Sequence, residues 1–243
     1  MGQPLEDILR HPAIWRVGQL AQDSRQGIAS GYAPLDRVLP GHGWPRGALT
    51  EILANQEGVG ELSLLTPVLR RQSDEAKGMA LIAPPYVPCA RAWEARGIRL
   101  DRMLVIEAEG SSLLWAAEQA LRSGACGMVV IWACRTQTAL TYRALQRLHL
   151  AAGKGEALCF LYRPAHTASG PSPAPLRLSL SSEDGRLALK IIKRRGALLP
   201  AAVCIAPFPV HWRDTAAAMD AMVPAGAAQP VALRLPKLGT PAH

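Results

Sequence analysis

The chain has 243 residues, of which 49% are hydrophobic and 19% charged, with 27 lysine and arginine residues against 19 aspartate and glutamate residues. This composition excludes a largely disordered chain, and the length suffices for a core that needs no disulfide or metal to stabilise it. No apolar run approaches the roughly 20 residues of a membrane span, and residues 1–10 lack the apolar centre of a signal peptide. We therefore expect a soluble, cytoplasmic globular protein with no membrane contact.

The net charge of +8 is carried mainly by arginine. Such an excess points to an anionic partner, such as nucleic acid or an acidic protein, and it is equally compatible with a coding bias that has no functional meaning. The five cysteines stand singly, which favours buried apolar roles for Cys126, Cys134, Cys159 and Cys204 over a zinc site. We expect no metal and no cofactor.

The N-terminal part, residues 1–27, is predicted to be a helical segment. Residues 4–23 place Ile14, Val17 and Leu20 at helical spacing around a break at His11-Pro12. This apolar face either covers the protein's own core or meets a partner.

The core, residues 28–210, alternates short apolar runs with longer amphipathic stretches. The runs lack the alternation of half-buried strands, so they indicate strands buried on both faces of a mostly parallel sheet. The sequence therefore predicts an α/β fold with a mostly parallel central sheet and helices on both faces. The predicted strands are 49–53, 79–83, 103–107, 128–133 and 157–162, and the predicted helices are 61–73, 89–96, 111–123 and 136–151.

The C-terminal part has a different character. Residues 164–175 are rich in proline and small residues, which predicts a mobile loop. Two alternating stretches, 176–180 and 187–193, flank Asp184-Gly185 and predict an antiparallel hairpin over 176–195. Residues 211–243 are rich in alanine, proline and glycine and are predicted to form a flexible tail.

The first strand leads into a glycine-bearing loop and then a helix, which is where a P-loop binds nucleotide phosphates. Gly58 and Gly60 belong to such a loop, but Glu61 and Leu62 stand where the lysine and the magnesium-binding hydroxyl are needed, and Ser63 comes one position late. An acidic side chain at this place repels a triphosphate. We expect a degenerate P-loop that binds no nucleotide.

The fourth predicted strand supports the same conclusion. A strand of this kind normally ends in a magnesium-coordinating aspartate, and here it ends in Trp132, which offers no metal ligand. Glu107 and Glu109 are the remaining candidates for a general base, but carboxylates after a strand are more typical of helix caps or solvated loops. We expect no catalytic residue.

Two segments resemble the part of the RecA family that leads into its first core strand and P-loop. They are residues 30–36, Ser-Gly-Tyr-Ala-Pro-Leu-Asp, and residues 41–52, Gly-His-Gly-Trp-Pro-Arg-Gly-Ala-Leu-Thr-Glu-Ile. Residues 57–63, 120–124 and 193–196 are similar to ImuA, a family of RecA-like proteins of bacterial mutagenesis cassettes that is sometimes labelled as similar to the cell-division inhibitor SulA. The resemblance extends over residues 28–196.

The resemblance implies a RecA-like P-loop NTPase core without the full ATPase apparatus. It also implies partners: an ImuB-like relative of Y-family polymerases, an error-prone DnaE-type polymerase complex, and RecA. The resemblance further implies induction in the SOS response and association with the nucleoid during DNA damage.

The sequence is compatible with three functions. The main hypothesis is a non-catalytic adaptor of the translesion synthesis mutasome, with weak binding of single-stranded DNA. The first alternative is a DNA-stimulated ATPase with an unconventional P-loop. The second alternative is a SulA-like inhibitor of cell division, which would bind the tubulin-like division protein.

Basic residues around the proline-rich loop and hairpin are candidates for DNA contact, through phosphates and without sequence choice. A solvated hairpin face explains them equally well, since no aromatic residue interleaves with these charges to stack on bases. Leu233, Arg234 and Leu235 in the tail are candidates for docking on a partner. The DNA candidates are Arg163, His166, Arg177, Lys190, Lys193, Arg194 and Arg195.

Overall fold

The computed structural model describes residues 26–134, 140–196, 201–206 and 231–234. The predicted N-terminal helical segment therefore lies almost wholly outside the described residues. The strands are β1 (Ala48–Ala54), β2 (Gly78–Ile82), β3 (Met103–Glu107), β4 (Cys126–Trp132), β5 (Leu158–Pro164), β6 (Leu176–Glu183), β7 (Arg186–Lys193), β8 (Val203–Ile205) and β9 (Val231–Arg234). The helices are α1 (Ala33–Asp36), α2 (Glu61–Ser73), α3 (Ala90–Glu94), α4 (Ser111–Arg122) and α5 (Tyr142–Gly155), with 3₁₀ helices at Pro40–His42 and Ala165–Ser169.

The strands form one sheet in the order β8-β7-β6-β1-β5-β4-β2-β3-β9. Among the described strands, β7 runs opposite to the others, pairing antiparallel with both β6 and β8. The prediction of a mixed α/β fold with a mostly parallel sheet is confirmed. The finer assignment to a P-loop NTPase core stays a prediction.

Each face of the sheet has its own hydrophobic core. On one face α2 and α3 pack over the strands, and here the indole of Trp44 meets the ring of Phe160 edge-to-face at 5.1 Å. On the other face α4 and α5 contribute Leu113 and Leu145 to a second core. Both faces of the central strands are buried, which is why these strands are continuous apolar runs.

Helix α2 begins and ends where the sequence predicts, although it contains Pro67. Proline has no N–H to donate, so the carbonyl of Ser63, one turn earlier, loses its partner within the helix. The hydroxyl of Tyr32 donates to that carbonyl at 2.7 Å. A side chain from the preceding segment thus replaces the missing hydrogen bond and lets the helix continue through the proline.

The predicted hairpin is present as β6 and β7. Glu183 pairs with Arg186, and the two residues between them, Asp184 and Gly185, have φ angles of +49° and +71°. Positive φ at both positions is typical of the two-residue turn that Asp-Gly favours.

Three features differ from the sequence-based expectation. Helix α5 begins at Tyr142, six positions later than predicted, after Thr141 has capped it by accepting a hydrogen bond from the N–H of Ala144. Residues 231–234, predicted as part of a flexible tail, form β9 on the edge of the sheet beside β3. Cys126 and Cys159 are buried as expected, but Cys204 on the edge strand β8 is exposed.

None of the described helices has the length and apolar character to cross a membrane.

Candidate functional site

The loop between β1 and α2 lies at the carboxyl edge of the parallel strands, where open α/β sheets bind ligands. Gly60 caps α2 with a φ angle of +95°. A Cβ atom at this position would lie 2.7 Å from Cδ2 of Leu187 on β7. The positive φ angle favours glycine at this position, and a side chain here would also require the end of Leu187 to move.

The side chain of Glu61 folds back onto this loop. Its Oε1 accepts a hydrogen bond from the N–H of Gly58 at 3.2 Å, and the residue is only 9% exposed. Its Oε2 is buried and has no hydrogen-bond partner among the described residues. The Glu61 carboxylate therefore accepts a loop N–H that a bound phosphate would need. It also places a buried negative charge beside this N–H.

Two aromatic residues support the same turn. The hydroxyl of Tyr162 on β5 donates to the carbonyl of Glu61 at 2.7 Å, and Trp132 stacks on the Tyr162 ring with centroids 5.4 Å apart. Burial raises the pKa of Tyr162 well above its usual value, and the nearby Glu61 and Cys134 raise it further, so the phenol keeps its proton and donates. Trp132 thus fills with a buried indole the place where a metal-binding aspartate would be required. The residues at this site do not fit magnesium and a nucleotide triphosphate.

A cavity of about 750 Å³ adjoins this loop, at the ends of β2, β3 and β4. The charged side chains that line it, within the described part of the chain, are all glutamates. The apolar part of its wall includes a proline-flanked loop after β2. The residues that define its character are Glu57, Glu107, Glu109, Tyr86, Val87 and Trp132.

Arg163 and Arg177, predicted to contact DNA, lie in the interior. Arg163 Nη1 donates to Glu51 Oε1 at 3.2 Å, and Arg177 Nε donates to Glu51 Oε2 at 2.8 Å. Glu51 is fully buried on β1, and the hydroxyl of Ser172 completes its set of donors at 2.7 Å. Both arginines neutralise this carboxylate, so we withdraw them from the DNA candidates.

Hydrogen bonds from Arg177 hold the proline-rich segment 164–175 in place. The guanidinium donates to the carbonyls of Thr167, Ala168 and Gly170 at distances between 2.9 and 3.1 Å. These bonds tie the 3₁₀ helix Ala165–Ser169 to the start of β6. The segment predicted as a mobile loop is therefore anchored to the sheet by a buried ion pair.

The remaining basic candidates occupy different surroundings. Lys190 and His166 are exposed, whereas Lys193 donates from Nζ to the carbonyl of Ser172 at 2.7 Å and Arg194 donates to the carbonyl of Val38. Arg195 is exposed at the end of the hairpin. Contact of these residues with DNA stays a prediction.

In the tail, Leu233 and Arg234 belong to β9, where they pair in register with Ile106 and Glu107 of β3. Leu235 lies outside the described residues. The proposed docking segment therefore has at least part of its backbone engaged by the protein's own sheet.

His149 on α5 gives a pH-dependent prediction. Its Nδ1 accepts a hydrogen bond from the N–H of Leu49 at 3.3 Å, which requires a neutral ring. Burial lowers the pKa of His149 below 6.5, and the charges of Arg195 and Lys193 lower it further. His149 therefore takes up a proton at higher pH in the unfolded chain than in the folded protein. The stabilisation of the folded state by neutral His149 is complete above about pH 6.5 and is lost as the pH falls below that value.

We expect His149→Gln, which keeps an acceptor but does not titrate, to flatten the loss of stability between about pH 7 and pH 5. Urea unfolding at a series of pH values measures this slope, with His166→Gln at an exposed position as the control. An unchanged slope in His149→Gln would contradict the assignment.

Sequence reasoning missed two parts of this region. Glu51 is not among the candidate residues from the sequence, although a single carboxylate among apolar residues signals a buried partner of opposite charge. Tyr86 and Val87 were not singled out, although two apolar residues between prolines in a loop indicate a fixed, exposed surface.

No protein-family model matches the chain. Among curated proteins, the cell division inhibitor SulA of Photorhabdus laumondii subsp. laumondii is 31% identical over 119 residues, which are 48% of this chain and 64% of that protein. The cell division inhibitor SulA of Edwardsiella piscicida is 30% identical over 102 residues, 42% of this chain and 58% of that protein. The chain thus spans about three fifths of the length of the curated relatives it matches.

Among solved structures, SulA from Pseudomonas aeruginosa is 30% identical, and the match covers 47% of this chain and 96% of that one with a TM-score of 0.38. The sequence comparisons confirm the predicted relationship to SulA at modest identity. The specific assignment to the ImuA family stays a prediction.

Proposed function

We propose that the chain is a non-catalytic protein of the RecA/SulA-like superfamily that acts by binding another protein in the bacterial response to DNA damage. The observation that carries the proposal is the carboxylate of Glu61, which accepts a hydrogen bond from the loop amide of Gly58. Catalysis of phosphoryl transfer depends almost entirely on positioning and on stabilising negative charge. A loop that holds its own negative charge supplies neither, which argues against the DNA-stimulated ATPase.

Inhibition of cell division is the finer activity that the comparisons favour. The two curated relatives are named as cell division inhibitors, at 31% and 30% identity. In this role the chain would bind the tubulin-like division protein in the cytoplasm and need no catalytic residue.

A second candidate is an accessory role in translesion synthesis, with an ImuB-like protein, a DnaE-type polymerase complex and RecA as partners and with location at the nucleoid. The similarity of residues 57–63 to ImuA supports it, and this segment contains the Glu61 that closes the loop. This accessory role would include weak binding of single-stranded DNA through Lys190, Lys193 and Arg195.

The two candidates predict different outcomes in cells. We expect induced expression of the full chain in a rod-shaped bacterium to block division and produce elongated cells, as measured by cell length. In a strain of the source bacterium that lacks the gene, the frequency of mutations induced by ultraviolet light is measured in parallel.

Elongation without a change in mutation frequency supports division inhibition. A fall in mutation frequency in the deletion strain, without elongation on expression, supports the translesion role. If neither changes, the proposed function is wrong.

A further inference from the structure

We propose that the outer face of α4 and α5 is the docking site for a partner protein, through an acidic segment that carries leucine or aromatic side chains. This inference rests on the proposed function, because it names the surface through which the chain binds its partner. The argument combines a group of exposed apolar side chains, an excess of positive charge, and an ion pair that fixes the two helices beside each other.

The outer face of α4 and α5 exposes three large apolar side chains. Trp115 on α4 is 47% exposed, and Tyr142 and Leu150 on α5 are 48% and 58% exposed. They make up half of the exposed large apolar side chains of the described residues, and they lie on two helices that pack against each other. A single exposed apolar residue is ordinary, whereas several on one face mark a surface that another molecule covers.

The exposed charged residues on α4 and α5 are all basic. Each helix contributes to the set, which consists of Arg122, Arg143, Arg147 and Lys154. The two helices contain a single carboxylate, Glu118, and it is buried. The face therefore has an excess of positive charge, which attracts an acidic partner and repels a basic one.

An ion pair joins the two helices in the middle of this face. Glu118 on α4 pairs with Arg122 at 2.8 Å and also accepts a hydrogen bond from Arg147 on α5. The helices run in the same direction, since each connects one strand of the parallel sheet to the next. Trp115 lies one turn before Glu118, and Arg143 lies one turn before Arg147, so Trp115 and Arg143 stand at the same height on neighbouring helices.

The same ion pair sets the other half of the face. Leu150 lies one turn after Arg147, and Arg122 lies one turn after Glu118, so an apolar and a basic residue again stand at one height. From Arg143 to Lys154 the face extends about 17 Å along α5, which is enough for three turns of a docked helix. Because Glu118 already orders two of the arginines, a partner that binds here loses less side-chain entropy.

The cations at the two ends of the face are available to a partner. Neither Arg143 nor Lys154 forms an ion pair with another described residue, and both are exposed. Carboxylates of an acidic segment can pair with them while its apolar side chains cover Trp115 and Leu150. Tryptophan and arginine are also the residue types that contribute most binding energy in protein interfaces.

Two other occupants fit this face less well. A second copy bound symmetrically would bring the same basic face against it, so like charges would meet. A single strand of nucleic acid would find an aliphatic side chain, Leu150, between the two unpaired cations and a carboxylate, Glu118, at the centre. An acidic protein segment with apolar side chains satisfies the charge and the exposed residues together.

The test uses the full chain and short fluorescent peptides, with binding followed by anisotropy at several salt concentrations. The probe peptide consists of glutamate and leucine, with leucine at helical spacing. One control peptide replaces leucine by serine, and the other replaces glutamate by lysine. We expect the probe to bind at least about tenfold more tightly than either control, because only the probe supplies both the apolar side chains and the negative charge.

Variants of the chain locate the site. Trp115→Ser/Leu150→Ser is expected to weaken probe binding by about tenfold or more with an unchanged salt dependence. Arg143→Glu/Lys154→Glu is expected to weaken the probe by about fivefold or more, to flatten its salt dependence, and to strengthen binding of the lysine peptide. The charge variant alters only exposed side chains, so it remains informative if the loss of Trp115 lowers the melting temperature.

The matched control changes the same residue classes on the other side of the sheet. Val87→Ser/Arg91→Gln replaces an exposed valine in the loop before α3 and an exposed arginine on α3. This variant is expected to bind the probe as the unchanged chain does.

The proposal is overturned if the probe and the serine peptide bind equally, or if the charge variant leaves both the probe and the lysine peptide unaffected. It is also overturned if a fluorescent oligothymidine binds more tightly than the probe and loses this affinity in the charge variant, because the ligand would then be nucleic acid. Self-association that depends on Trp115 and Leu150 would make a second copy the occupant. A marked gain in affinity on removal of residues 1–25 would make the chain's own segment the occupant, and both results contradict the proposal.

Cell experiments separate this inference from the proposed function. If Trp115→Ser/Leu150→Ser loses the probe but elongates cells, or supports mutagenesis, as the unchanged chain does, the docking site is wrong and the function stands. If the unchanged chain has neither effect in cells, the function is wrong while the peptide experiment decides the docking site by itself.

Discussion

Substitution of Glu51→Gln is expected to lower the free energy of unfolding by about 3–5 kcal/mol, since it leaves the buried charges of Arg163 and Arg177 without a counter-charge. The new amide retains the shape of the carboxylate and one oxygen that still accepts a hydrogen bond. It cannot neutralise two guanidinium groups that are themselves almost fully buried. Urea unfolding followed by circular dichroism measures the loss.

Glu118→Gln is the matched control for this prediction. Glu118 is also a buried carboxylate with two arginine partners, Arg122 and Arg147, but these partners are 54% and 61% exposed. Water solvates the arginines when the carboxylate is removed, so we expect a loss of about 1 kcal/mol or less. Equal losses in the two variants would contradict the view that Glu51 is the centre of a buried charge cluster.

The secondary structure of the core could be predicted because its signals are local. The run 128–133 and the run 157–162 are apolar at every buried position, so a strand in the middle of a sheet is readable from composition alone. The Asp184-Gly185 turn is equally local, since its positive φ angles are the reason these residue types occur there.

The interior position of Arg163 and Arg177 could not be predicted in the same way. Their partner, Glu51, lies 112 and 126 residues away along the chain, and the sheet order brings the three together. Arginines beside a proline-rich loop have the same sequence pattern whether they bind nucleic acid or a buried carboxylate. The same limit applies to β9, which joins the sheet beside β3, a strand more than a hundred residues earlier.

In the candidate site, the residue types of the loop can be read from the sequence, but the contacts that they make cannot. Glu61, Leu62 and Trp132 stand where the resemblance to the RecA family leads us to expect a lysine, a hydroxyl and an aspartate, and the loss of nucleotide binding stays a prediction. That Glu61 turns back to accept the N–H of Gly58, and that Tyr162 supports its carbonyl, depends on the backbone geometry of the loop.

Restoring the missing aspartate is expected to damage the protein and not to create a nucleotide site. Trp132→Asp removes a buried indole that stacks on Tyr162, and loss of a core tryptophan costs about 3–5 kcal/mol. The new carboxylate would stand in a buried position against the Tyr162 ring, and no cation contacts Trp132 among the described residues. We expect a loss in the free energy of unfolding of about 4 kcal/mol or more, measured by urea denaturation.

Trp132→Phe is the control, because it keeps an apolar ring against Tyr162 and adds no charge. We expect a clearly smaller loss for this variant. Neither the unchanged chain nor Trp132→Asp is expected to gain melting temperature from magnesium and ATP, since Glu61 continues to occupy the loop amide and no lysine is present beside it. A folded Trp132→Asp variant whose melting temperature rises with magnesium and ATP would show that the loop still accepts phosphate, and the non-catalytic assignment would then have to be abandoned.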